Sequence, residues 1–531
     1  MRSVDELTGE YVDILCDTFP VTATALGRHA RDGDLGGYDP VVFDEYAGDV
    51  SGLLAELAAY VDPTMGGDAD PGHDVEAKAL YGVARTALLE LETEQQWKRN
   101  PADAVDTALM GCFSLLLREF APVEDRHESL RSRLAATPGY LADARRTWSD
   151  VPTLWAETAA ESARAGAEFL RDELGAALGD SPAASAVMDA AGPAANALDV
   201  TAAALDDMPT EDGGWAIGEG LVAQHLRFEH HLEDTPAEME KRGLALVDET
   251  LGALEDLDPA WRATLTATKN DHPAADQLVD GYRSEMERSY AFVESARLAP
   301  LTDAPLEVRP TPSFWVPVLP YAAYDPPGPF ETDQRGIFWV TVPEGDDAAE
   351  RLAGHPRPGM TITAVHEGYP GHHLQLTHAN RHTSLTRTIA DSSLTIEGWA
   401  FYCEQMLAEV GYYGDDLPLR LYQLKDQLWR AARVVLDMRL HTGEIGFDEA
   451  VDYLVDIADL ERPNAEAEVR RYTSTPTYQI CYAIGKAEIL ALREELRRRD
   501  PGGFDLGEFH RSLLDFGSVA VPLSAHEMLS A

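Results

Sequence analysis

Along most of this chain apolar residues return every three or four positions, the spacing that gathers them on one side of an α-helix. Segments 75–96, 157–178, 235–255, 275–297, 391–410, 417–441 and 483–499 carry the pattern most clearly, in Ala/Leu/Glu/Asp/Arg runs broken by Gly, Pro and Asp clusters. The prediction is a mainly α protein. No motif repeats at a fixed period, which argues against a solenoid. The pattern changes at 299–345, APLTDAPLEVRPTPSFWVPVLPYAAYDPPGPFETDQRGIFWVTVP, where Pro, aromatic and β-branched residues take over and predict a small extended insert of strand and loop. The chain then reads as an N-terminal helical half, 1–298, the insert, and a C-terminal helical half, 346–531, forming one continuous domain. Tyr321 and Tyr324 of the insert are candidates to line a substrate cleft.

With 531 residues, 45% of them hydrophobic, the chain can bury a large core. Its 92 acidic and 43 basic residues give a formal net charge of -49, scattered rather than gathered in a tail. That describes a solvated acidic surface of the halophilic kind, suited to concentrated salt, where screening weakens self-repulsion. Nucleic acid and anionic membrane are excluded as expected partners, because no Lys/Arg-rich stretch is present to neutralise phosphates. Cys16, Cys112, Cys403 and Cys481 lie far apart and read as reduced, buried thiols. The acidic N-terminus lacks a signal-peptide pattern, and no run of about 18 uncharged apolar residues occurs, so the expectation is a soluble cytoplasmic protein.

Candidate chemistry concentrates at 363–375, TAVHEGYPGHHLQ. A zinc hydrolase needs three protein ligands, an open position for water, and a nearby Glu to take the water's proton. His366-Glu367 opens like the familiar H-E-x-x-H helix, but Pro370 stands where the second His belongs. At about 100° per residue, 373 lies about 20° from 366 around a helix, and 372 about 120° away. Pro370 and Gly371 predict a kink or bulge between them. Looping out three residues makes His373 the second ligand; looping out two selects His372. His373 is preferred, with His372 as the alternative. On the next predicted helix, Glu397 projects beside an apolar stripe of Ile396, Trp399, Ala400, Cys403, Leu407 and Val410 and is the candidate third ligand. Glu404 is a candidate to support a ligand from behind.

HEGYPGHHLQ followed by EGWAFYCEQM resembles the domain-of-unknown-function family 885, helical proteins similar to zinc peptidases of the gluzincin type. The resemblance extends to TPSFWVPVLPYAAYDPPGPFE, RAARVVLDMRLHTGEIGFDEAVDYL, RRYTSTPTYQICYAIGKAEILALREE and FDLGEFHRSLLDFGSVAVPL, and covers most of the chain. It implies a large helical bundle with a central cleft, one bound zinc ion, and peptidase or carboxypeptidase action on short peptides. One departure is Thr477-Tyr478, where the family pattern leads one to expect a Gly-Gln-like pair.

Peptide hydrolysis also needs a donor for the developing oxyanion. Candidates are Tyr482, then Tyr472, then His441, with Arg471 and Tyr478 in the same RRYTSTPTYQICY stretch. Nucleophilic hydrolysis lacks a G-x-S-x-G or a Cys/His signature. A helical di-metal oxidase needs two Glu-x-x-His helices, and only Glu124-x-x-His127 fits. The rival reading is a non-catalytic helical binding protein whose His cluster holds a structural metal.

Overall fold

A computed structural model describes residues 2–61, 74–316, 319, 321–345 and 348–530; within the insert, 317, 318 and 320 lie outside the described residues. The chain is mainly α, as the periodicity predicts: 71% is helical and 3% is strand among the described residues. Segments 235–255, 275–297, 391–410, 417–441 and 483–499 correspond to helices Pro236–Leu257, Leu278–Ala296, Ser393–Glu409, Leu417–Thr442 and Cys481–Arg499. Segments 75–96 and 157–178 are each helical too, interrupted by π-turns at Leu89–Glu94 and Phe169–Glu173.

The described residues divide into two compact units, the first within Met1–Pro71, Val83–Trp215 and Gly328–Asp333, the second within Gly72–Gly82, Ala216–Pro327 and Gln334–Ala531. This division does not coincide with the three segments read from the sequence. In the first unit, helices Pro101–Leu117, Val123–Thr147, Thr153–Glu168 and Ala184–Asp207 pack on one another. The buried Arg133 ties this unit together by donating to the carbonyls of Asp34 and Gly111 and to the Thr24 hydroxyl.

The second unit is built on two helix pairs. Pro236–Leu257 starts with a capping box, Thr235 and Glu238 satisfying each other's backbone N–H groups. It lies against Leu417–Thr442 at Gly243, where an added Cβ would come within 2.9 Å of Val434. Ser393–Glu409 meets Cys481–Arg499 still more closely, glycine on glycine: a Cβ at Gly398 would lie 2.7 Å from the Gly485 backbone. Only hydrogen on both α-carbons permits this crossing, and it brings residue 397 of one helix beside Tyr482 of the other and Tyr478 in the turn before it.

The insert forms a three-stranded sheet in the order β1 (Leu306–Pro310), β3 (Gly336–Val340), β2 (Ala322–Asp325). β1 runs parallel to β3 with Val308 opposite Phe338, and β2 antiparallel with Tyr324 opposite the same residue. Every residue of β3 is buried. Phe338 and Val340 share a core with Tyr282 and Met286 of the Leu278–Ala296 helix and with Met360 and Ala364, so the sheet backs the chain just before the His/Glu motif.

Candidate metal centre

Helix Arg357–Thr363 widens into a π-turn, Ala364–Gly368, that carries His366 and Glu367. Tyr369, in extended conformation, ends it, the Tyr369–Pro370 peptide is cis, and a new helix begins at His372 and runs to Ala379. Gly371 makes the tight return possible, since an added Cβ would collide with the carbonyl oxygens of Val365 and His366. The break is pinned from outside: the Trp399 indole N–H donates to Pro370 O at 2.7 Å.

Three donors converge across the break. Glu397 Oε2 lies 3.6 Å from His366 Nε2 and 3.4 Å from His372 Nε2, and the ligand atoms of this trio all fall within 4.8 Å of one another. Two of the three are aimed by a neighbour, while His372 Nδ1 is buried without a hydrogen bond among the described residues. His366 Nδ1 is 2.8 Å from Glu404 Oε1, which turns Nε2 toward the cluster. The Tyr478 hydroxyl donates to Glu397 Oε1 at 2.6 Å, leaving Oε2 buried with no hydrogen bond among the described residues. The Tyr482 ring stacks along His366 with centroids 6.3 Å apart, and its hydroxyl is 3.4 Å from that of Tyr478.

The electrostatics are those of buried opposite charges. Burial by itself would lower the His366 pKa, but the carboxylates of Glu397 and Glu404 push it up to about 10. Burial would raise Glu397, yet the His372 and His366 imidazoles hold it well below the usual carboxylate range. Burial and the Glu397 charge raise both tyrosines, Tyr482 to about 12, so each remains a hydroxyl donor at neutral pH. Two imidazole nitrogens and one carboxylate oxygen, with that oxygen buried and unbonded, form a donor set that zinc accepts.

The placement differs from the sequence expectation at the second ligand. His373 faces away: its Nδ1 is 2.9 Å from the Tyr324 hydroxyl and its Nε2 3.0 Å from Ala304 O. The face argument assumed one helix with residues looped out. The chain instead stops and restarts, so helical phase is not carried from 366 to 373, and the first residue of the new helix, His372, turns back on His366 with ring centroids 4.7 Å apart. Tyr324 supports His373 and has no place in the trio.

Several other candidates lie apart from the trio. Tyr472 is fully buried, its hydroxyl accepting from Arg433 Nε at 2.7 Å and Trp429 Nε1 at 3.3 Å and bonded to Glu468, so it is closed to a substrate carbonyl. His441 is fully buried with Nε2 3.0 Å from Tyr472 O, and Arg471 is paired with Glu468 at 2.9 Å. Tyr321 is 45% exposed with its ring against His355. Glu367 is half-buried beside His366 and makes no side-chain hydrogen bond among the described residues. Sequence reasoning ranked Tyr478 too low and passed over Trp399's grip on Pro370.

The family model for "Bacterial protein of unknown function (DUF885)" matches residues 20–528. The chain belongs to this family. Two solved structures share the DUF885 chain's fold throughout: a putative lipoprotein of unknown function from Shewanella oneidensis, with TM-score 0.80, 23% identity and 100% of both chains covered, and the putative lipoprotein from Colwellia psychrerythraea, with TM-score 0.83, 19% identity and 100% and 99% covered. No curated protein matches significantly. The expectation of a cytoplasmic DUF885 protein is corrected by these likenesses, since both structures are described as putative lipoproteins. Among the described residues no helix is long and apolar enough to cross a membrane.

Proposed function

We propose that the chain is a zinc-dependent hydrolase that cleaves peptide bonds in short peptides, as its likeness to gluzincin-type peptidases at HEGYPGHH suggests. The observation that carries this reading is the buried Glu397 Oε2, without a hydrogen bond, facing His366 Nε2 and His372 Nε2 across the chain break. His366, His372 and Glu397 would hold the ion. Zinc held by three protein ligands supplies an acidified water and a Lewis acid toward the scissile carbonyl. Glu367, next to the first ligand and without a competing hydrogen bond among the described residues, would take the water's proton and deliver it to the leaving amine. Tyr482 would donate a hydrogen bond from its hydroxyl to the carbonyl oxygen as negative charge develops there. Tyr478 and Glu404 fix the orientations of Glu397 and His366.

The test is to strip metal with a chelator, restore zinc, and assay short peptides with free and blocked termini. Cleavage should vanish and return with zinc, and Glu367→Gln should keep zinc while losing at least about 100-fold in turnover. Full activity without metal, or a Glu367→Gln enzyme within a few-fold of wild type, overturns the assignment.

A further inference from the structure

We propose that Arg430 forms a carboxylate-binding subsite beside the metal centre, taking a substrate carboxylate carried either at a peptide's C-terminus or on an acidic side chain. This rests on the peptide-hydrolase reading above and gives it a substrate class.

Arg430 lies on the Leu417–Thr442 helix, and its Nε and Nη1 are shut off from solvent without a hydrogen-bond partner among the described residues. Asp426 Oδ1 comes within 3.3 Å of Nη1 but in a geometry that makes no hydrogen bond. The guanidinium is held instead by aromatic rings, its central carbon 4.6 Å from the Trp429 centroid, 5.8 Å from Phe401 and 5.9 Å from Tyr482. Such contacts fix a planar cation without using its N–H groups. Tyr482 is also the ring stacked on His366, which sets Arg430 one side chain away from a metal ligand.

Arg433 provides the contrast. It too approaches Tyr482, at 5.0 Å, but its donors are engaged by the Tyr472 hydroxyl and Glu468. Of two guanidiniums against one ring, one has its donors hydrogen-bonded, and the other has Nε and Nη1 without a hydrogen bond among the described residues. In a chain with 92 acidic and 43 basic residues, carboxylate partners are abundant, so a half-buried arginine whose ion pair with Asp426 makes no hydrogen bond stands out. Charged donors closed to solvent and left without a hydrogen bond are unfavourable, and a carboxylate is a group that satisfies them. The Arg430 charge also acts on Glu404, the carboxylate behind His366, which places it within the field of the site.

The probes are N-acetyl-Ala-Ala-Ala as free acid, the same peptide as C-terminal amide, and N-acetyl-Ala-Asp-Ala amide. Cleavage kinetics and calorimetric Kd are measured with the zinc-loaded wild type, Arg430→Gln and Arg430→Lys, with zinc content checked in each. Arg430→Gln should weaken a carboxylate-bearing probe by about 10- to 100-fold in KM or Kd relative to the neutral amide, and Arg430→Lys should recover part of that loss. Loss on the free acid assigns the C-terminal carboxylate, and loss on the Asp peptide assigns the side chain. Equal weakening of all three probes at unchanged zinc content makes Arg430 structural and overturns the proposal. If Arg430→Gln fails to fold, the same ratio in Arg430→Lys decides. If wild type cleaves none of the probes, the hydrolase reading falls, and the Kd ratio alone sustains or sinks the subsite.

Discussion

The crossing of Gly398 and Gly485 yields a stability prediction whose sign depends on the structure. Gly→Ala inside a helix ordinarily stabilises by about 1 kcal/mol, because alanine has less backbone freedom to lose. At Gly398 the new methyl would sit 2.7 Å from the Gly485 backbone and 3.1 Å from Lys486 N, and none of these is the end of a flexible side chain. Reaching ordinary contact needs a separation of about 0.7 Å between two packed helices, and overpacking of this kind costs about 1–3 kcal/mol. The overpacking outweighs the gain, and Gly398→Ala should be destabilised by up to about 2 kcal/mol, with a fall in Tm. Gly252, on the Pro236–Leu257 helix, has nothing within 4 Å of an added Cβ, so Gly252→Ala is the control and should raise Tm slightly. Gly398 adjoins Glu397, so the same separation should draw that carboxylate from Tyr478 and weaken zinc binding about 10-fold or more. Thermal melting read by circular dichroism and zinc competition against a chelator are the two assays. A Gly398→Ala protein that melts at or above wild type, as Gly252→Ala should, refutes the close crossing.

His372→Ala should lower zinc affinity by more than about 100-fold, beyond the usual effect of losing a supporting residue, while His373→Ala should stay within about 10-fold; chelator competition would show the order reversed if His373 is the ligand. Thr477 is a β-branched residue at φ +61°, a conformation costing roughly 1–2 kcal/mol. Its hydroxyl lies 3.0 Å from His230 Nε2, so Thr477→Gly and Thr477→Ala both lose that contact, but only Gly relieves the backbone. Gly should therefore be the more stable of the two by about 1 kcal/mol, and equal melting of the pair would contradict the left-handed assignment. With 92 acids against 43 bases, Tm should rise as salt goes from about 0.1 M toward molar concentrations; a flat curve would show that the charge excess is no salt adaptation.

The helices were legible because burying one face leaves a 3.6-residue period, and the insert because strands with aromatic and β-branched residues break that period. Of the trio, His366 and Glu397 could be read from residue type and spacing alone. The choice between His372 and His373 could not, because it turns on whether the helix bulges or stops, which depends on the Val365 and His366 carbonyls crowding Gly371 and on Trp399 reaching Pro370 from another helix. Tyr478 was underrated for a similar reason. Its position depends on the 477–480 turn, whose backbone N–H groups at Thr477, Gln479 and Ile480 all point at the buried Asp437 carboxylate forty residues earlier in the chain. Even so, the expectation of glycine at 477 matches the left-handed backbone that threonine adopts there.

Trp399 lies two residues from Glu397, and the carbonyl it holds lies two residues from His372. One hydrogen bond that touches none of the three donors therefore fixes the distance between two of them. The cluster is preorganised: folding, rather than a cation, bears the entropy of bringing the donors together, and an arriving ion has little chain to order. A scaffold of that kind discriminates among ions by how well their radius and preferred angles suit a fixed spacing. Replacing Trp399 with phenylalanine, which keeps a ring but no N–H, would turn a rigid gauge into a compliant one, trading selectivity for tolerance.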